Sequence, residues 1–140
     1  MPRHSILDTI GNTPLVRLAR LPDPEGAEIY VKIEGTNPTG SMKDRMALSM
    51  IEGAERRGEL RAGGRVVEYT GGSTGSSLSM ICAAKGYRAQ FYASAAFSED
   101  KPRTMRGFGA TVEIIPSVDG KVTPEMIQEG LGKVAELARE

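Results

Sequence analysis

The chain has no tryptophan, a single cysteine and a single histidine, and each scarcity removes a class of chemistry. A lone Cys82 excludes an internal disulfide and fits a reducing compartment, so the expected location is cytoplasmic. A lone His4, beside the N-terminus, leaves a Ser-His-Asp or Cys-His pair with little to work with. No Cys/His cluster has metal-ligand spacing, so no metal is expected. Excess charge is missing too: 18 Lys and Arg balance 18 Asp and Glu, and nothing argues for nucleic acid or an anionic lipid surface. Apolar runs are short and strand-like, well under the length of a membrane span. Met1-Pro2-Arg3-His4 runs into a polar segment with no apolar signal region. An enzyme built on this chain has carboxylates, a lysine or an organic cofactor to work with.

What is present is one domain's worth of alternating strands and helices in 140 residues. Ile6 to Leu18 reads as a loop and a short extended segment, turning at Gly11-Asn12-Thr13-Pro14. Residues 28–34 alternate like a strand, and Gly35 to Gly40 forms an irregular loop. Met42, Met46, Ala47, Met50, Ile51 and Ala54 share a helical face, with Ser41 as N-cap and Gly58 as terminator; the methionines read as packing residues. Strand 65–69, a glycine-rich run at 70–75, a helix from Ser76 to Lys85 closed by Gly86 and a strand at 89–93 follow. A helix from Asp100 to Phe108 with Pro102 in its first turn, a strand at 111–115 and a helix capped by Thr123 before Pro124 complete the order. Such alternation implies a parallel sheet covered on both faces. Cys82 falls on an apolar stripe as a small core residue.

Two places carry potential chemistry. Lys43 follows the capping Ser41, in the first turn of a helix, where the dipole field disfavours a cation and favours the neighbouring Asp44. A nucleophilic amine needs that uncharged fraction; the plainer alternative is a solvated lysine paired with Asp44 or Glu34. The second place is Thr70-Gly71-Gly72-Ser73-Thr74-Gly75, between a strand and a helix. Glycines allow close backbone approach, and free N–H groups at a helix start face an anion. The run has neither Walker nor dinucleotide-loop order, so a small carboxylate or phosphate is its natural guest. The plainer alternative is a tight turn with no ligand.

At this point a family resemblance enters. Ile10-Gly11-Asn12-Thr13-Pro14-Leu15-Val16-Arg17-Leu18 resembles the opening signature of cysteine synthases and cystathionine β-synthases. Asn37-Pro38-Thr39-Gly40-Ser41-Met42-Lys43-Asp44-Arg45 resembles their pyridoxal-phosphate (PLP) lysine motif, and its Asn-Pro and Lys-Asp-Arg elements favour this branch over threonine dehydratases. Thr70 to Gly75 sits where that family has its substrate-carboxylate loop, and residues 107–115 resemble a segment in which Gly-Ala leads into a strand. The resemblance covers essentially the whole chain. It implies an α/β fold, a three-layer αβα arrangement with a mostly parallel open sheet, as in the N-terminal domain of tryptophan synthase β-like (fold type II) PLP enzymes. It implies pyridoxal 5'-phosphate as cofactor, with Lys43 catalytic and cofactor-binding and Ser73 a second cofactor contact. Thr70, Gly71, Gly72, Ser73 and Thr74 would bind the substrate, a small amino acid undergoing β-replacement or β-elimination. Partners implied are a second copy, as a homodimer, or a complementary C-terminal half, with no nucleic acid and no membrane.

Two departures from the family pattern bear on these expectations. The family loop usually reads Thr-Ser-Gly-Asn-Thr-Gly, whereas Gly71 and Ser73 stand here for serine and asparagine, and Tyr69 stands where proline is common. Family members are also roughly twice as long, and their second half carries the PLP-phosphate loop. The expectation is therefore that residues 1–140 form the lysine- and carboxylate-binding domain, as a fragment or half-protein. The competing expectation is a truncated, non-catalytic domain that self-associates or binds a small anion.

Overall fold

The computed structural model describes residues 4–117 and 119–139; Met1–Arg3, where no apolar signal region was expected, lie outside the described residues. The elements are β1 (Leu15–Arg17), β2 (Tyr30–Lys32), α1 (Lys43–Arg56), β3 (Arg65–Tyr69), α2 (Ser73–Lys85), β4 (Arg88–Ser94), α3 (Asp100–Gly107), β5 (Thr111–Ile115) and α4 (Pro124–Leu137). Single 3-10 turns occupy Ile6–Thr9 and Glu34–Thr36.

Strands β3, β4 and β5 pair in parallel in that order, with Glu68 opposite Phe91 and Phe91 opposite Val112. Alternation along these strands sorts side chains to the two faces. Ala89, Phe91, Ala93 and Val112 enter a core with Ala47, Ile51, Leu78, Ile81, Cys82 and Met105, contributed by α1, α2 and α3. Tyr92 and Ile115 enter a second core with Met126 and Leu137 of α4, flanked by Val67 and Tyr69. Helices thus cover both faces, giving the αβα layering. Phe91, Leu78, Ile81 and Met105 are the largest fully buried apolar side chains of the first core. Each contributes about 1.5–3 kcal/mol relative to exposure.

Helix α2 is buried from Gly75 through Cys82, which is possible because three of those residues are small serines. Ser79 Oγ donates to the Gly75 carbonyl at 2.7 Å, satisfying itself within the helix. Gly86, at φ +76°, closes the helix by donating to the Cys82 carbonyl. Thr123 Oγ1 accepts from the Met126 N–H at 3.3 Å, so the Thr-Pro start of α4 forms as expected.

Three expectations are corrected. The strand expected over residues 28–34 shrinks to Tyr30–Lys32, which pairs antiparallel with β1 in a separate ribbon. Its continuation is drawn into the 3-10 turn because the Glu34 carboxylate binds Arg45, Thr13 and Asn37. Helix α2 begins at Ser73, three residues before the expected start, because Thr70 Oγ1 accepts from the Gly75 N–H at 3.0 Å and caps the extra turn. Met42, Met46 and Met50 are exposed, since the buried face of α1 runs through Asp44, Ala47, Ile51 and Gly53. Ser41 does satisfy a helix-start donor, accepting from the Lys43 N–H at 3.1 Å, although Met42 is the flanking residue. No helix among the described residues is long and apolar enough to cross a membrane.

Candidate active site

Lys43 is the first residue of α1 and is half-buried. The two residues that follow it are both held by hydrogen bonds. Asp44 is fully buried and accepts from the Thr39 N–H at 2.9 Å and from the hydroxyls of Thr39 and Ser77. Ser77 has one proton, and the charged carboxylate is its nearest acceptor; the Ser73 carbonyl lies 2.9 Å away on the other side. Arg45 forks onto Glu34, Nε to Oε2 at 2.9 Å and Nη2 to Oε1 at 3.1 Å. Both carboxylates proposed as partners for Lys43 are therefore engaged elsewhere. Among the described residues the Lys43 amine has no hydrogen bond or ion pair.

The Arg45–Glu34 pair is the centre of a network that sequence reasoning missed as a unit. Thr13 Oγ1 accepts from Arg45 Nη2 at 3.0 Å and donates to Glu34 Oε1. Asn37 Nδ2 donates to Glu34 Oε2 at 2.9 Å and to the Glu34 carbonyl at 2.8 Å, while its Oδ1 accepts from the Gly11 N–H at 2.8 Å. The hydrogen bonds from Arg45 and Thr13, reinforced by Asn37, hold the Glu34 carboxyl down to about 2. Gly11 has φ +82°, and a Cβ there would stand 2.8 Å from Arg45 Nη1. The Gly-Asn-Thr-Pro turn and the lysine segment are thus one hydrogen-bonded body. The available signal was the pairing of a glycine turn with Asn37 and Arg45.

The second candidate site divides differently from its sequence reading. Thr70 is buried and its hydroxyl oxygen is used in capping α2. Ser73 and Thr74 lie in the first helical turn, half-buried, and their hydroxyls make no hydrogen bond among the described residues. Gly71 lies against Phe97: a Cβ there would meet the ring at 2.2 Å. Tyr69 is accommodated by Gly130 of α4, where a Cβ would come within 2.3 Å of the Tyr69 ring. Ser76 Oγ is buried without a partner.

The two sites meet. Ser77, one turn into α2, joins Asp44 of α1, and the Thr39 and Ser77 hydroxyl oxygens are 3.3 Å apart. The starts of α1 and α2 therefore stand together, each with the positive end of a helix dipole, although the Lys43, Asp44 and Arg45 N–H groups of α1 are already taken by Ser41 and Met42. An amine with no hydrogen bond among the described residues at one helix start, and two open hydroxyls at the start of the helix packed against it, are groups that can offer a nucleophile and hold an anion.

Comparison with known proteins supplies the family. The chain is 47% identical over 117 residues to cysteine synthase B of Salmonella typhimurium, covering 84% of this chain and 39% of that protein. The solved structure of O-ureido-L-serine synthase superposes with a TM-score of 0.88 at 40% identity, covering 99% of this chain and 42% of that one. A hydrogen sulfide-producing enzyme from Fusobacterium nucleatum superposes with a TM-score of 0.86 at 38% identity, covering 99% and 43%. The chain spans about two-fifths of the length of each of these proteins. Residues 6–140 match the family described as pyridoxal-phosphate dependent enzyme, and to that family this chain belongs.

Proposed function

We propose that this chain is the lysine- and carboxylate-binding part of an enzyme that uses PLP for β-replacement or β-elimination on a small β-substituted amino acid. O-acetylserine or a related serine derivative is the substrate class, and sulfide or another small nucleophile the acceptor. The observation that carries this reading is the Lys43 amine at the start of α1, with no hydrogen bond or ion pair among the described residues, on a helix whose next residue, Asp44, is hydrogen-bonded to Ser77 of α2. The relatives' names support it, since they cover cysteine synthesis, O-ureido-L-serine synthesis and hydrogen sulfide production.

The residues present fit the cofactor: Lys43 offers an uncommitted primary amine for its carbonyl, and the Ser73 hydroxyl, which makes no hydrogen bond among the described residues, would be a donor to it. When bound, PLP supplies the electron sink that makes loss of the Cα proton and the β-substituent feasible. Lys43 would hold the cofactor through its side-chain amine, and the same amine would take the Cα proton. The Ser73 and Thr74 hydroxyls and the N–H groups at the start of α2, with Thr70, Gly71 and Gly72 shaping the turn, hold the α-carboxylate and aim the Cα–H bond at Lys43. The Asp44–Ser77 hydrogen bond fixes the distance between those two tasks.

Leu15, Val16, Tyr30 and Val31 on the β1–β2 ribbon, with Met42, Met46 and Met50, leave apolar surface exposed. Such a surface favours a covering partner, either a complementary C-terminal half or a second copy of the chain. This same surface supports the second reading, a non-catalytic domain that self-associates; light scattering of the purified chain measures that tendency, and a clean monomer counts against it. Titration with PLP tests the enzymatic reading. An absorbance change that Lys43→Ala abolishes is expected, and a change that survives the substitution overturns the assignment of Lys43.

A further inference from the structure

We propose that Phe97 is a specificity-determining wall of the Thr70–Gly75 segment, made possible by the glycine at 71. The proposal rests on the reading of that segment as the amino-acid site. Three ring atoms, Cε2, Cδ2 and Cζ, lie 2.2–2.5 Å from the place where a Cβ on Gly71 would stand. The flat of the ring lies on the glycine, so any side chain at 71 displaces the ring as a whole.

The segment that carries the ring is anchored. Phe97 N–H donates to the Ser94 carbonyl at 3.2 Å, Ala96 N–H donates to Ser94 Oγ at 3.0 Å, and Ala95 N–H donates to the Ile115 carbonyl at 2.9 Å. The backbone that carries Phe97 is therefore fastened to the carboxyl ends of β4 and β5. Phe97 also borders a cavity of about 310 Å³ lined by Ser94, Ala95, Pro102, Arg106 and Ile114 among others. Both the cavity and the Thr70–Gly75 segment lie at the carboxyl ends of the parallel strands, where open α/β sheets take ligands. The ring is a partition between them.

Two consequences follow for substrate choice. The site has no side-chain donor at position 71, so carboxylate recognition falls to Ser73, Thr74 and the start of α2. The partition also keeps the site short, which admits amino acids of serine size and rejects longer side chains. Phe97 is 40% exposed, so shortening it opens the cavity while leaving the buried core in place.

The test uses the full chain as wild type, Phe97→Ala, Gly71→Ser and the double variant. Thermal unfolding, which needs no ligand, is expected to show that Gly71→Ser lowers Tm far more with Phe97 present than with alanine at 97. Calorimetric titration in the presence of PLP compares L-serine with L-methionine. Phe97→Ala is expected to shift the dissociation-constant ratio toward L-methionine by about 10-fold or more. Additive Tm changes overturn the pairing of Phe97 with Gly71. An unchanged ratio, with both ligands bound, overturns its role in specificity. A wild-type chain that binds neither amino acid overturns the underlying amino-acid reading, while the thermal cycle still decides the pairing.

Discussion

Replacing Asp44 by alanine separates the two halves of the site without touching Lys43. The carboxylate is fully buried and accepts three hydrogen bonds, from the Thr39 N–H and from the hydroxyls of Thr39 and Ser77. Hydrogen bonds to a charged group contribute about 1.5–3 kcal/mol each, but their loss is not additive. Ser77 can turn to the Ser73 carbonyl, 2.9 Å away, and the two hydroxyls can pair with each other, whereas the Thr39 N–H loses the acceptor it has in Asp44. The net destabilisation of Asp44→Ala is therefore about 3–5 kcal/mol, from donors left unsatisfied at about 1–3 kcal/mol each and from the space the side chain vacates. For a domain of this size that lowers Tm by roughly 10–15 °C. Ser77→Ala leaves the carboxylate two donors and is worth about 1–2 kcal/mol. Urea unfolding followed by far-UV circular dichroism measures both. A loss below about 1 kcal/mol for Asp44→Ala, or equal losses for the two variants, refutes the reasoning.

Further outcomes are expected from other parts of the structure. Glu34 is held at about 2 by Arg45 and Thr13, below its ordinary 4.5. Its stabilising contribution is complete above that ordinary value and is lost as pH falls through the folded one, so Glu34→Gln should flatten the acid limb of the urea midpoint; an unchanged acid limb contradicts this. Cys82 is fully buried and burial pushes its thiol up to about 11, so a thiol reagent at pH 8 should react only after unfolding. Immediate reaction of the native chain counts against that placement. Phe91→Ala, at a fully buried site between β4 and the helices, should lose about 3–5 kcal/mol by chemical denaturation, and a loss under 1 kcal/mol means the core packs otherwise.

Much of this architecture was legible because local signals agreed with the tertiary arrangement. Arg65–Tyr69 and Thr111–Ile115 form strands over the expected residues, and Thr123-Pro124 starts α4, since alternation and capping act within a few residues. Two of the misses share a cause: long-range polar contacts that no local pattern carries. Glu34 leaves the expected strand to meet Arg45, 11 residues away. Asp44 turns into the fold to meet Ser77, 33 residues away, and so the buried stripe of α1 shifts off its methionines. The early start of α2 has a nearer cause, since the Thr70 oxygen accepts from the Gly75 N–H and adds a turn from Ser73. Of the candidate site, motif order singles out Lys43 and the run from Thr70 to Gly75. The hydrogen bonds that join them, and the ring of Phe97 on Gly71, required three dimensions.

The central claim is that Lys43 is the chain's reactive amine, and incubation with PLP, borohydride reduction and peptide mapping tests it most directly. Lys32, Lys85 and Lys133 are engaged by Thr13, Glu55 and Glu113, while Lys43, Lys101 and Lys121 are not paired among the described residues, so Lys101 and Lys121 are the internal controls for the labelling. A pyridoxyl group concentrated on Lys43 is the expected result. Label spread evenly over the lysines, or concentrated on another one, contradicts the account.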